Sequence, residues 1–112
     1  MSETLTIRQG ATWVLSFEWR DGEGLPIDLT GCTARMQLRR SYGTPVLLEL
    51  STASGQLVLG GATGIIDLVV DAATTAALTT DSGVCDMKIV YPDGYVDVAL
   101  AGRFELLFEV TK

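Results

Sequence analysis

Two pairs of carboxylates are spaced as a catalytic acid and base could be. Asp86 and Asp97 flank the strong turn signal Pro92-Asp93-Gly94, so a hairpin would bring their strands together. Glu105 and Glu109 lie four residues apart, on one side of an extended strand. A third group, Asp21 and Glu23 in Asp-Gly-Glu-Gly, offers the oxygen ligands calcium prefers, but the spacing lacks the remaining ligands of a calcium loop. The strand carboxylates all occupy polar positions of amphipathic runs, where solvation accounts for them. Serines and threonines are plentiful, yet little here could activate them. Histidine is absent, which removes the commonest general base, the commonest metal ligand and the ordinary pH switch together. Lys88 is the one internal lysine. The thiols of Cys32 and Cys85 fall on apolar positions and read as small buried hydrophobes. A disulfide would require their strands to pair across the core, and two lone thiols do not make a metal site. These residues predict no catalysis, no metal and no cofactor.

The cations are more suggestive. Arg35, Arg39 and Arg40 are three of 8 basic residues in a chain of net charge −6. A guanidinium fork offers two parallel hydrogen bonds to a carboxylate, and arginine is enriched in protein interfaces. Tyr42, in the adjoining loop, would add an aromatic anchor. Arg35, Arg39, Arg40 and Tyr42 are therefore the candidate protein-docking residues. The acidic balance argues against nucleic acid as the partner.

The element that must carry these arginines is Cys32 to Arg40. Cys32, Ala34, Met36 and Leu38 alternate with Thr33, Arg35, Gln37 and Arg39, the period-2 mark of a strand with one buried face. Trp13, Leu15, Phe17 and Trp19 alternate in the same way before it, so the two strands read as a central hairpin or a pair crossing between sheets. The rings of that earlier strand read as core; a sugar-binding aromatic platform is the lesser reading. Leu5 and Ile7 form a short first strand, and further strands are expected over 46–50, 56–59 and 65–70. The glycine-rich loop 60–64 lacks the Lys-Ser/Thr ending of a phosphate cradle and reads as a turn.

Asp71 opens the one helical stretch, near residues 71–78, as an N-cap before alanines. The last part reads as a three-stranded meander. Cys85, Met87, Ile89 and Tyr91, then Val96, Val98 and Leu100, then Phe104, Leu106, Phe108 and Val110 point inward, with a bend at Gly102. Trp13, Phe17, Trp19, Met36, Ile89, Phe104 and Phe108 should share one core.

At 112 residues and 47% apolar composition, the chain predicts one folded domain, 1–112, with a modest core. Some eight or nine short strands separated by glycine-rich turns predict an all-β fold, a two-sheet antiparallel β-sandwich of immunoglobulin-like type. No apolar run reaches the roughly 20 residues of a membrane-spanning helix, and Met1-Ser2-Glu3-Thr4 does not open like a signal peptide.

The order of these pieces resembles a known group. Thr-Ile-Arg-Gln-Gly-Ala-Thr-Trp (6–13), the run 21–39, Gly-Val-Cys-Asp-Met-Lys-Ile-Val-Tyr-Pro-Asp-Gly-Tyr-Val (83–96) and Gly-Arg-Phe-Glu-Leu (102–106) together look like small virion proteins of tailed bacteriophages and prophages. They are similar to the N-terminal β-sandwich domains of upper baseplate proteins and other tail or fibre attachment modules. The resemblance implies a structural protein of the virion, assembled in the host cytoplasm. It implies docking onto other tail, baseplate or capsid proteins, homo-oligomerisation within the particle, and no catalytic residues. A capsid decoration protein and a small phage-encoded inhibitor of a host protein are the alternatives.

Overall fold

A computed structural model describes residues 2–111. Eight strands form: β1 (Ser2–Arg8), β2 (Trp13–Glu18), β3 (Thr33–Arg39), β4 (Val46–Ser51), β5 (Leu57–Leu59), β6 (Ile65–Val70), β7 (Ser82–Val90) and β8 (Val96–Leu107). Helix α1 (Ala72–Ala76) joins β6 to β7, and one 3₁₀ turn sits at Gly61–Thr63. Five strands make sheet A, in the order β1-β8-β7-β3-β4; three make sheet B, in the order β2-β6-β5. The all-β sandwich expected from the alternation is the fold observed, and β2 and β3 are the sheet-crossing pair rather than a hairpin.

Between the sheets lies one apolar cluster. Sheet A contributes Leu5, Ile7, Ala34, Met36, Leu38, Cys85, Met87, Ile89, Phe104 and Leu106; sheet B contributes Trp13, Leu57, Ile66, Leu68 and Val70. Each fully buried side chain of this size contributes about 1.5–3 kcal/mol relative to exposure. Leu15, Phe17 and Trp19 pack against the cluster while only partly buried, because sheet B is narrow and the outer end of β2 is incompletely covered.

Local chemistry sets the ends of the elements. The Asp71 side chain accepts from the backbone N–H of Thr74 and caps α1. The helix is then tied to the β1–β2 turn by Thr75, which is fully buried. Its hydroxyl accepts from Gly10 N–H at 3.1 Å and donates to the Ala11 carbonyl at 2.8 Å. Gln9 completes the tie, donating to the Leu78 carbonyl and accepting from Glu109 N–H. The turn between β7 and β8 closes with Gly94 at φ +92°, a conformation glycine adopts without a Cβ clash.

Three expectations are corrected. First, the end of the chain is not a three-stranded meander: β8 is a single strand across Gly102, and its other neighbour is β1, which runs parallel to it. Second, Val96 and Val98 face outward. Met87 pairs with Leu100 but Lys88 pairs with Val98, so Ala99 is an extra residue in a β-bulge, and one extra residue reverses parity. Ala99 and Leu100 are both buried, while Val96 and Val98 are exposed. Third, Phe108 lies outside the core, 55% exposed, because β8 ends at Leu107; Val110 is exposed as well.

Candidate functional site

The outward face of sheet A gathers the cations that strand order alone brings together. Arg35 stands directly opposite Lys88, Gln37 opposite Asp86, and Arg39 opposite Val84. Beyond β7, Val84 faces Arg103 on β8, and on the sheet's margin Arg8 faces Leu107. These residues share the parity opposite to Met36, Met87 and Phe104. Arg35, Gln37, Arg39, Tyr42, Asp86 and Lys88 line a shallow trough of about 300 Å³ whose floor runs past Cys85 and Gly102.

Like charges directly across an antiparallel pair repel. Arg35 and Lys88 form such a pair; Asp86 stands beside them on the same face, without an ion-pair contact to either. Glu49 accepts from the Gln37 amide, and the ion pair among the described residues is Arg20 with Glu18, elsewhere. Arg39 is held in place: one guanidinium nitrogen donates to the Thr44 carbonyl and the other to Gln37 Oε1 at 2.9 Å. The loop it grips is a closed turn. Thr44 Oγ1 donates to the Ser41 carbonyl at 2.8 Å and Thr44 N–H donates to the same oxygen. Tyr42 is thereby presented almost fully exposed, at 88%. Along the same face, towards the β7–β8 hairpin, Val90, Val96, Val98 and Tyr95 form an exposed apolar strip. The Tyr91 and Tyr95 rings meet there, with centroids 5.6 Å apart.

Of the four candidate residues, Arg35, Arg39 and Tyr42 line one trough. Arg40 does not. Its side chain borders a second recess with Thr44, Pro45, Leu47, Asp81 and Phe108, past the end of β3 at Arg39. Lys88, Arg103 and the valine strip were not singled out by the sequence. Their outward parity was readable for Lys88, but the neighbour of each strand was not.

The carboxylate pairs do not form catalytic couples. Asp97 pairs in register with Ile89 and so takes the face opposite to that of Asp86. Glu105 is exposed on β8, whereas Glu109 lies past the strand's end with its carboxylate against Gly10. Asp21 accepts from Glu23 N–H and Leu25 N–H, closing its own turn. Among the described residues, no group of three or more His, Cys, Asp or Glu side chains converges as a metal would require. Both cysteines are free thiols. Cys85 pairs with Leu38, six residues along β3 from Cys32, which is roughly 20 Å of strand. Burial, with a smaller effect of Asp86, pushes the Cys85 thiol up to about 11. Burial also raises Cys32, and Asp28 and Asp93 add to it.

The strand orders β8-β7-β3-β4 and β2-β6-β5 are those of an immunoglobulin-like sandwich. No family model and no curated protein matches the chain. Solved structures do. One comes from a study of the multimeric cell-adhesive interactions of VGSC beta subunits, at TM-score 0.53 and 11% identity over 95% of this chain and 92% of that one. The first Ig-like domain of human CD48 antigen matches at TM-score 0.43 and 14% identity, over 99% of this chain and 86% of the other. Tim-1 matches at TM-score 0.47 and 14% identity, over 100% and 97%. At such identities the likeness concerns the fold. The strand orders and the first of these likenesses define the fold as an immunoglobulin-like β-sandwich. It is one without the disulfide between sheets that staples antibody domains: β2 has no cysteine, and Cys85 of β7 packs as a thiol.

Proposed function

We propose that this chain is a non-enzymatic docking module that binds a protein partner through the outer face of sheet A. We propose further that its setting is a bacteriophage particle, at the tail or baseplate. The observation that carries the docking reading is the facing pair Arg35 and Lys88, neither held in an ion pair, beside the exposed strip Val90, Val96 and Val98. An apolar patch with cations alongside is what a protein interface requires: area to bury and charge to orient it. The phage setting rests on the order of sequence pieces over 6–13, 21–39, 83–96 and 102–106.

Area limits how the partner sits. Five strands at ~4.8 Å spacing and about seven residues of length give roughly 550 Å² of sheet. A stable interface takes about 800 Å² from each partner, so the Tyr42 loop or the Tyr91–Tyr95 hairpin must be covered too.

The test is incorporation. Arg35→Glu with Arg39→Glu should leave the isolated domain folded, since the Arg35 charge is exposed and contributes little to stability and the Arg39 hydrogen bonds tie down only the adjoining loop and Gln37. It should reduce the variant's occupancy in purified particles, read by quantitative mass spectrometry against a major virion protein. Wild-type occupancy of the doubly substituted protein would place the docking face elsewhere. Absence of the unsubstituted protein from particles would overturn the phage setting.

A further inference from the structure

We propose that the partner on the sheet A trough is a second copy of this chain, which inserts the acidic tip of its β2–β3 connection. The proposal rests on sheet A being a docking face, and it names the occupant.

The observation behind it is how unevenly charge is distributed. Of 8 basic residues, Arg8, Arg35, Arg39, Lys88 and Arg103 lie on the outer face of sheet A, where they outnumber the carboxylates Glu49, Asp86 and Glu105. The end of the sandwich where β2 stops and β3 begins is the reverse. It carries Asp21, Glu23 and Asp28 in the β2–β3 connection, with Asp93 in the β7–β8 turn and Asp97 just beyond it. The two loops touch, since a Cβ on Gly31 would lie 2.9 Å from Pro92. The basic residue at that end, Arg20, is paired with Glu18. A chain of net charge −6 thus carries one face with an excess of cations and one anionic end. Opposed patches of this kind attract one another across copies despite the net repulsion, because at cellular salt only charges within roughly 8–10 Å count.

The tip is built to be inserted. Asp21 Oδ1 accepts from Glu23 N–H at 2.8 Å and Leu25 N–H at 3.0 Å, and Gly24 N–H closes onto the Asp21 carbonyl. Arg20 donates to the Gly24 carbonyl from outside. The turn is ordered before any contact, so little freedom is lost on docking. Leu25, 57% exposed, supplies an apolar side chain beside the carboxylates, as Tyr42 does beside the arginines. A copy cannot fill its own trough. The tip continues from β2 of sheet B, and the trough opens on the far side of sheet A, with a sheet spacing of about 10 Å between them. Donor and acceptor are different surfaces, so the contact is heterologous and generates a ring or an open chain of copies.

Two loss variants test it. Arg35→Gln with Arg39→Gln removes two of the trough's three positive charges. Asp21→Asn with Glu23→Gln removes the tip's charge and keeps an Oδ1 acceptor for the turn. Lys88→Gln is a second trough variant that leaves the Arg39 hydrogen bonds intact. By sedimentation velocity, the unsubstituted protein should self-associate at about 50 mM salt and dissociate at about 500 mM. Each variant alone should weaken association at least about tenfold. An equimolar mixture of the two double variants should give 1:1 complexes and nothing larger, because each brings one intact surface. A protein that stays monomeric to about 1 mM at low salt, or that associates equally well in either variant, overturns the proposal. If it is monomeric and Arg35→Glu with Arg39→Glu still blocks incorporation, the docking face stands with a different occupant. If self-association behaves as described and incorporation does not change, the self-contact stands and the particle reading fails.

Discussion

Phe104 and Phe108 separate the folded structure from the bare alternation, which treats them alike. Phe104 is 1% exposed and stands opposite Gly83 on one side and Leu5 on the other. Its ring lies over the glycine: a Cβ on Gly83 would come within 2.6 Å of Phe104 Cε1. Phe104→Ala therefore empties a ring-sized space between β1 and β7 that rigid sheet backbone cannot collapse to fill, and about 3–5 kcal/mol should be lost. Against a total of about 5–15 kcal/mol for a domain of this kind, at least a fifth of the stability goes. At roughly 4 °C per kcal/mol the melting temperature falls by about 12–20 °C. Phe108, 55% exposed, has about half of the 1.5–3 kcal/mol of a buried phenylalanine to lose, so Phe108→Ala should cost under about 1.5 kcal/mol. Urea titrations followed by the fluorescence of Trp13 and Trp19 measure both, and the slope with urea should stay constant across the series. Equal losses for the two variants would mean that β8 continues past Leu107 with Phe108 in the core, and would refute the assignment.

Two more outcomes are expected of the isolated domain. Thr75→Val, close to isosteric, removes the hydroxyl that joins the half-buried Gly10 N–H and the exposed Ala11 carbonyl; a loss of about 0.5–1.5 kcal/mol is expected, and thermal melts indistinguishable from the unsubstituted protein would count against the helix-to-turn tie. The Cys85 thiol titrates at about 11 when folded, against 9.0 as its ordinary value. Below pH 9 both states hold the proton; between about 9 and 11 the unfolded chain loses it first, so stability falls across that window by roughly 2–3 kcal/mol. Denaturation at pH 8, 9.5 and 11 should show this fall in the unsubstituted protein in excess of that in Cys85→Ala, and a constant difference between them would refute it.

What could be read from the chain was whatever depends on neighbours in sequence. The alternation of Ala34, Met36 and Leu38 with Arg35, Gln37 and Arg39 gave β3 and both its faces, and Asp71 before alanines gave the capped helix. What could not be read depends on one-residue irregularities and on which strands meet. Ala99 is an ordinary residue by type, yet as a bulge it turns Val96 and Val98 outward and creates the apolar strip. Arg40 looked like a third member of the arginine cluster because it is adjacent in sequence. β3 ends at Arg39, and Arg40 borders a different recess. Lys88 joined Arg35 only once β7 was known to pair with β3 in that register, and register is set by turns and core packing together.

The parallel pairing of β1 with β8 also fixes an order of events during synthesis. Leu5 faces Phe104 and Ile7 faces Leu106, partners about a hundred residues apart. At about 5–20 residues per second, β1 leaves the ribosome several seconds or more before the strand it must lie against. A pairing so distant closes late, and folds dominated by such contacts take milliseconds to seconds to form even when the whole chain is free. Until then the β1 side of β8 is an open strand edge next to buried Phe104 and Leu106, the kind of edge that recruits foreign strands. Slowing of refolding by Leu5→Ala or Ile7→Ala would report whether β1 closes the sheet before or after the barrier.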